Sequence, residues 1–448
     1  MLGLELVRPL EDNWREALDD VAASRRWVSS RDPRRLAARV AELSSAYNDA
    51  SRARAPLREA GPARLAFSFA RDVPKGAAAV REIIATSSLA GADRSGQALR
   101  VLDVGAGFGA MTWGFVRALD AAGRLSRVEA TWVDEEEEGL DVGRALASAR
   151  RWRSGSVELA AQSIPLAVAG RGSLGAVAKL GPFDVVLVGQ LLSELDVGAP
   201  DDERVRRHSA LVREMLSVCV APEGFVVVIE PALRDRTRHL HRVRDTLLEA
   251  EPDARPVVFA PCLHCAACPA LAAPGDWCHE DLPVDLPSWL IPIARGAGLR
   301  FQGLTFSYLV VRPRGSGLVE RLERRPGAHL RVVSDRRVTK GKSEAFLCGN
   351  WDPVGIVPPG RRSVSRLDRD AGLHTAVWDT LSRGDLVAIA PPPLRNARNA
   401  GARIDASTRV ERLDVRDATS LPAHEPGASD VDDDVDLSVD DADVKDGR

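Results

Sequence analysis

Two groups of residues in this chain are of types that hold small ligands or metals. The first is a glycine series. Leu99 to Val104 reads as a short apolar strand that runs into Gly105, Gly107 and Gly109, with a helix-like segment, Ala110 to Leu119, directly behind. Glycines let the backbone turn tightly and approach a ligand closely. The first turn of the helix adds free N–H groups and the positive end of a dipole, which suits an anionic or carboxylate-bearing ligand. Asp103 stands two residues before the series, and Asp134 ends the next apolar strand, Val128 to Val133. An acid at that strand tip can take both hydroxyls of a ribose. Glu135 to Glu138 follow it, so Asp134 also fits the start of a solvated acidic run.

The second group is the cysteines. Of six, Cys262, Cys265, Cys268 and Cys278 lie within 17 residues, Cys348 stands far downstream, and Cys219 sits alone in an apolar run as a core residue would. In a reducing compartment such a cluster reads as a metal site rather than as disulfides. Prolines and a glycine fill the gaps from Phe259 to His279, so this is a loop that can bend thiolates around one centre. Soft thiolates select zinc or an iron–sulfur cluster. A zinc ribbon shows two C-x-x-C knuckles; Cys-Pro and uneven spacing lean toward iron–sulfur. His264 and His279 are further candidate ligands. The spacing differs from the C-x3-C-x2-C of a radical enzyme.

These residues need elements to position them, and the pattern supplies an α/β alternation. Apolar strands at Phe183–Val188 and Gly224–Glu230 read as buried parallel strands, with helices over Glu203–Cys219 and Asp235–Ala250 and a weak strand near Val157–Ala160. Arg300–Phe306 and Ser307–Arg312 read as a hairpin-like pair. The order matches a doubly wound sheet whose ligand crevice lies at the carboxyl ends of its strands. Those ends also carry Gly189, Gln190, Ser193, Glu194 and Glu230, none of which is identifiable as a catalytic base.

Gly105, Gly107 and Ala110 fit the dinucleotide pattern G-x-G-x-x-G/A. The fuller string, with Asp103 and Gly109, resembles motif I of class I S-adenosylmethionine (SAM) methyltransferases. That resemblance implies that Asp103, Gly105, Gly107 and Gly109 hold the methionine end of SAM and Asp134 its ribose.

Cys-x-His-x-x-x-Cys-Pro, then Asp-Trp-Cys-His, then Phe306-Ser-Tyr-Leu-Val-Val-Arg312 resemble the mitochondrial small-ribosomal-subunit assembly proteins of the methyltransferase-like type and their bacterial relatives, over roughly residues 60 to 350. The resemblance implies a class I methyltransferase fold carrying a four-cysteine [4Fe-4S] cluster, with zinc as the alternative metal. It implies association with small-subunit ribosomal RNA and the small ribosomal subunit. Carried over, the cluster ligands are Cys262, Cys268, Cys278 and Cys348, with Cys265 as a spare.

Composition sets the remaining expectations. Arg and Lys number 61 against 64 Asp and Glu, for a net charge of −3. Residues 429–448 carry nine Asp against one Lys and one Arg, whereas residues 312–342 carry ten Arg or Lys against three acids, a density that suits a polyanion. No apolar run approaches the ~18 residues of a membrane span, and charges interrupt the first twenty residues, so a cytoplasmic location with no membrane partner is expected. The expected organisation is an N-terminal helical region at 1–95, a doubly wound class I methyltransferase-like domain at 96–312 with the cysteine insert at 260–280, a small basic β-rich module at 313–392, and a disordered acidic tail at 393–448. Trp351 and Trp378 of the module are candidates for stacking on bases or for its core.

Overall fold

The computed structural model describes residues 1–48, 56–89, 97–124, 127–149, 157–168, 172–251, 254–352, 358–393 and 401–416. The acidic run at 429–448 lies outside them.

Three N-terminal helices, α1 (Asp12–Ser24), α2 (Pro33–Asn48) and α3 (Leu57–Ala63), lead through a wider π-type turn at Arg64–Phe69 into α4 (Ala70–Ala85). Helix α4 is buried along most of its length because it lies against α5 (Ala110–Ala121) with glycine on both sides of the contact. A Cβ on Gly114 would stand 2.4 Å from the Val73 carbonyl oxygen, and one on Gly76 would stand 2.9 Å from that of Met111. Only glycines permit so close an approach.

The first sheet contains β1 (Leu99–Val104), β2 (Arg127–Asp134), β3 (Glu158–Pro165), β4 (Phe183–Gly189), β5 (Val220–Glu230), β6 (Val257–Ala260), β7 (Glu280–Leu282) and β8 (Leu304–Arg312). Their order is β3-β2-β1-β4-β5-β8-β6, with β7 also on β8. The first five are mutually parallel, and β8 runs antiparallel to β5, β6 and β7. Side chains alternate between faces: Leu99 and Val101 join a core with α1, α4, α5 and α6 (Glu137–Ser148), while Leu102 and Val104 join one with α7 (Gly175–Ala178), α8 (Asp201–Glu214) and α9 (Arg234–Leu248). A short helix, α10 (Ile291–Gly296), packs on α2. This is the expected doubly wound fold, of the class I methyltransferase type.

One expected element is different. Residues 304–312 form a single strand rather than a hairpin-like pair. Nothing of turn type separates Phe306 from Ser307, and strands flank β8 on both edges, so its backbone bonds are met without reversal.

The C-terminal module is a second sheet of β9 (Ala328–Val332), β10 (Arg337–Thr339), β11 (Lys342–Asn350), β12 (Gly360–Leu367), β13 (Leu386–Ala390), β14 (Ala402–Ile404) and β15 (Arg409–Arg412), in the order β14-β12-β11-β9-β13-β15 with β10 on β11. It runs past the expected boundary at 392, because β14 and β15 close its two edges. Trp351 and Trp378 are both buried in its core, donating to the Gly360 carbonyl and the Ser343 hydroxyl at 2.8 Å, so neither ring is offered to a base.

A buried charge cluster joins this sheet to the first domain. Glu82 of α4 accepts from Arg331 of β9 at 2.7 Å and from the Tyr308 hydroxyl at 3.0 Å, and Arg81 donates to Glu280 at 2.6 Å. All five side chains are buried.

Candidate cofactor cavity and cysteine cluster

A cavity of about 1050 Å³ opens at the carboxyl ends of the parallel strands. Its floor is the glycine loop. Gly105, Gly107 and Gly109 take φ of 71°, 53° and 81°, values costly for other residues, and the N–H groups of Gly105 and Ala106 donate to the Val133 carbonyl at 2.8 and 3.0 Å. Asp134 is buried at the tip of β2. One carboxylate oxygen accepts from Gly107 N at 2.8 Å and the other from Glu136 N at 2.9 Å, which fixes the carboxylate at the cavity wall.

Asp103 and Gly109 stand behind that surface rather than on it; the lining comprises Gly105 to Phe108, Ala110 and Met111. Asp103 is fully buried, and one of its oxygens accepts from the Thr112 N–H at 3.1 Å and hydroxyl at 2.7 Å. Burial pushes its carboxyl up to about 7, against the lowering effect of the Thr112 bonds. Its other oxygen is buried with no partner among the described residues. A Cβ on Gly109 would meet the Trp132 ring at 2.8 Å, so this glycine seats the loop on β2.

The far side of the cavity was not visible in the motifs. Val40, Leu43 and Tyr47 of α2, spaced as an amphipathic helix, form one wall. Arg71, Asp72 and Lys75 of α4 form another. The available signal was three charges within two turns of an otherwise apolar segment.

The cysteines come together. Cys262, Cys268 and Cys278 of the loop and Cys348 of β11 line one narrow cavity, while Cys265 is exposed outside it. Burial raises the thiols of Cys268 and Cys278 to about 12 and about 11 and that of Cys348 well above its usual range; Cys348 also feels each of the other three sulfurs. Helix α9 holds the loop: Arg244 donates to the His264 and Ala266 carbonyls at 2.8 and 2.9 Å, and Asp245 accepts from Cys268 N at 2.8 Å. Arg244 and Arg361 place two guanidinium groups at the cavity. Among the described residues, no three His, Cys, Asp or Glu side chains close on the position of a single metal ion.

The model of the family described as mitochondrial small ribosomal subunit Rsm22 matches residues 64–354 of the chain. The chain belongs to this family. The match spans the glycine loop, Asp134 and all four converging cysteines. No curated protein matches the chain. Solved structures similar to it include a SAM-dependent methyltransferase from Agrobacterium tumefaciens (13% identity, 52% of this chain and 63% of that one, TM-score 0.29). Others are a loganic acid methyltransferase with SAH (11%, 56% and 95%, 0.31) and the plantazolicin methyltransferase BpumL with SAH (9%, 63% and 98%, 0.30). The chain thus spans less than two thirds of the Agrobacterium protein.

In this Rsm22-family chain the two cavities share a wall. Trp277 and His279 line the larger one, stacked with ring centroids 5.8 Å apart, and Cys278 between them lines the smaller. The loop after β4 closes the larger cavity with Gln190, Ser193 and Glu194. Beneath it, Glu230 accepts from Leu192 N at 2.9 Å, and burial pushes its carboxyl up to about 7.

Proposed function

We propose that this methyltransferase-like protein binds SAM in the large cavity, carries a [4Fe-4S] cluster on Cys262, Cys268, Cys278 and Cys348, and acts on small-subunit ribosomal RNA during assembly of the small ribosomal subunit. The observation that carries the reading is the convergence of four cysteines, from a loop of the first domain and a strand of the second, on one cavity. The donor set fits the group. Four thiols lining one cavity are the soft donor set that such a centre takes, its metal balancing the charge of the thiolates. Arg244 and Arg361 offset the net negative charge of a thiolate-bound cluster. The Cys-Pro and the uneven cysteine spacing, in place of two C-x-x-C knuckles, support the polynuclear centre over zinc. Such a centre supplies either electron transfer or a structural staple; here its ligands lie outside the wall of the methyl-transfer cavity, which supports the staple.

In the large cavity Asp134 binds the ribose, and the glycine loop, free of side chains at 105 and 107, lets the nucleoside approach the backbone closely. The pair of exposed basic residues Arg337 and Lys340 on the β10–β11 hairpin supports contact with a phosphate backbone. Among the described residues no helix is long and apolar enough to cross a membrane. The cytoplasmic placement is part of this proposal; the family description names mitochondria.

A second reading, a non-catalytic assembly factor that keeps the fold, is favoured by the loop after β4. It offers Gln190, Ser193 and Glu194 in place of the Asn-Pro-Pro-Tyr that holds a base amine. Anaerobic purification with iron and sulfide analysis, calorimetry with SAM, and tritiated methyl transfer to immature subunits separate the readings. Iron, SAM binding and labelled RNA support the first; SAM binding without label supports the second; one zinc per chain removes the cluster.

A further inference from the structure

The cavity carries more charge than a nucleoside uses. Arg64 and Arg236 are engaged elsewhere, the first with Glu136 at 2.5 Å and the second with the Tyr47 carbonyl at 2.6 Å. On α4, by contrast, Asp72 and Lys75 form a pair at 2.8 Å with both side chains largely buried, and Arg71 has no hydrogen bond or ion pair among the described residues. Burial lowers the pKa of both cations, so each gains from an added anion.

Their position is defined by packing. Gly76, one residue on from Lys75, lies against the Met111 backbone at the start of α5, and the Met111 side chain lies on Gly189 at the end of β4. Asp134 stands at the end of β2, and the sheet runs β2-β1-β4. The α4 charges therefore flank the glycine loop on the side opposite the ribose-type acid. We propose that Arg71, Asp72 and Lys75 form a seat for an α-amino-acid zwitterion: Lys75 and Arg71 take the carboxylate and Asp72 takes the ammonium. The inference rests on the proposed cofactor and moves its amino-acid end from Asp103, whose accessible bonds go to Thr112, to α4. A ligand with both charges on one carbon matches a cation–anion pair without leaving either protein charge unmatched in a buried site.

The test is calorimetry with S-adenosylhomocysteine and with 5′-methylthioadenosine, which keeps the nucleoside and thioether but lacks the zwitterion. The wild-type chain is expected to bind the former at least about 10-fold more tightly. Lys75→Gln and Asp72→Asn are each expected to erase about 10-fold of that preference while leaving affinity for 5′-methylthioadenosine unchanged, which also reports that the variant is folded. Equal wild-type affinities for the two compounds overturn the seat while leaving nucleoside binding in place; this comparison needs no variant. Unchanged preference in both variants likewise overturns it. Binding of neither compound overturns the cofactor reading itself, and the seat with it.

Discussion

Cys348 lies far downstream of the other cluster cysteines, yet its sulfur sits within reach of the loop, 3.8 Å from His264 Nε2. Replacing it tests the proposed centre most directly. Cys348→Ser is expected to lose iron, acid-labile sulfide and absorbance near ~400 nm, whereas Cys265→Ser, outside the cavity, keeps all three. Asp134→Ala is expected to weaken SAM by about 10- to 100-fold, as loss of charge-assisted hydrogen bonds does, read by calorimetry. Asp103 makes a different prediction. Its carboxyl is held at about 7 in the fold against an ordinary 3.8, so above pH 4 the unfolded chain gives up a proton that the native state keeps. Stability tied to this group is full at low pH and falls as pH rises from about 4 to about 7. Asp103→Asn retains an acceptor for Thr112 and is expected to flatten that fall, visible in denaturant midpoints across the range. At this scale the sequence was informative about residue type and poor about exposure. Asp103 and Asp134 are both acids at strand ends, but the register of β1 puts the first behind the loop and β2 puts the second at the cavity. Arg71, Asp72 and Lys75 look like the solvated face of a helix, but in the fold they line the cavity, with Lys75 buried.

Strands with long apolar runs were legible as elements because burial on both faces demands them; β1, β4 and β5 are such strands. Strands β14 and β15, three and four residues long and carrying arginines, have no run to detect and form only because β12 and β13 offer them edges. The joint between domains was equally hidden, since Glu82 and Arg331 are separated by most of the chain and neither residue type marks burial. Breaking it should be costly: Glu82→Ala leaves Arg331 and Arg81 short of a buried partner, at about 3–5 kcal/mol. Urea unfolding is expected to show the loss, with the module's transition moving to lower denaturant than that of the first sheet. Helices α8 and α9 meet through His208 and His239, 2.8 Å apart. Burial lowers the two rings to about 4 and about 3 from an ordinary 6.5. Their contribution to stability is full above pH 6.5 and is lost as pH falls toward 4, opposite in sign to that of Asp103. The difference curve between wild type and His239→Gln isolates it.

At the scale of the molecule, the proposed contact with a polyanion rests on charge pattern and exposure together. The basic stretch read from composition ends in the β10–β11 hairpin, which projects Arg337 and Lys340 into solvent with Val338 between them, while its neighbour Arg331 turns inward to Glu82. A count of basic residues does not separate the two kinds. Arg337→Glu with Lys340→Glu is expected to weaken RNA binding across sequences and to lower the slope of log affinity against log salt by about two, with SAM affinity unchanged.

Trp277 and His279 line one cavity and Cys278, between them, the other, so one ribbon of backbone is the partition between a sulfur-lined chamber and a larger one. A partition cannot shift for one tenant alone. If the proposed cluster is held through Cys278, treatment with an iron chelator is expected to reach across this partition, as a change in tryptophan emission and in the affinity for S-adenosylhomocysteine, before any strand has come apart.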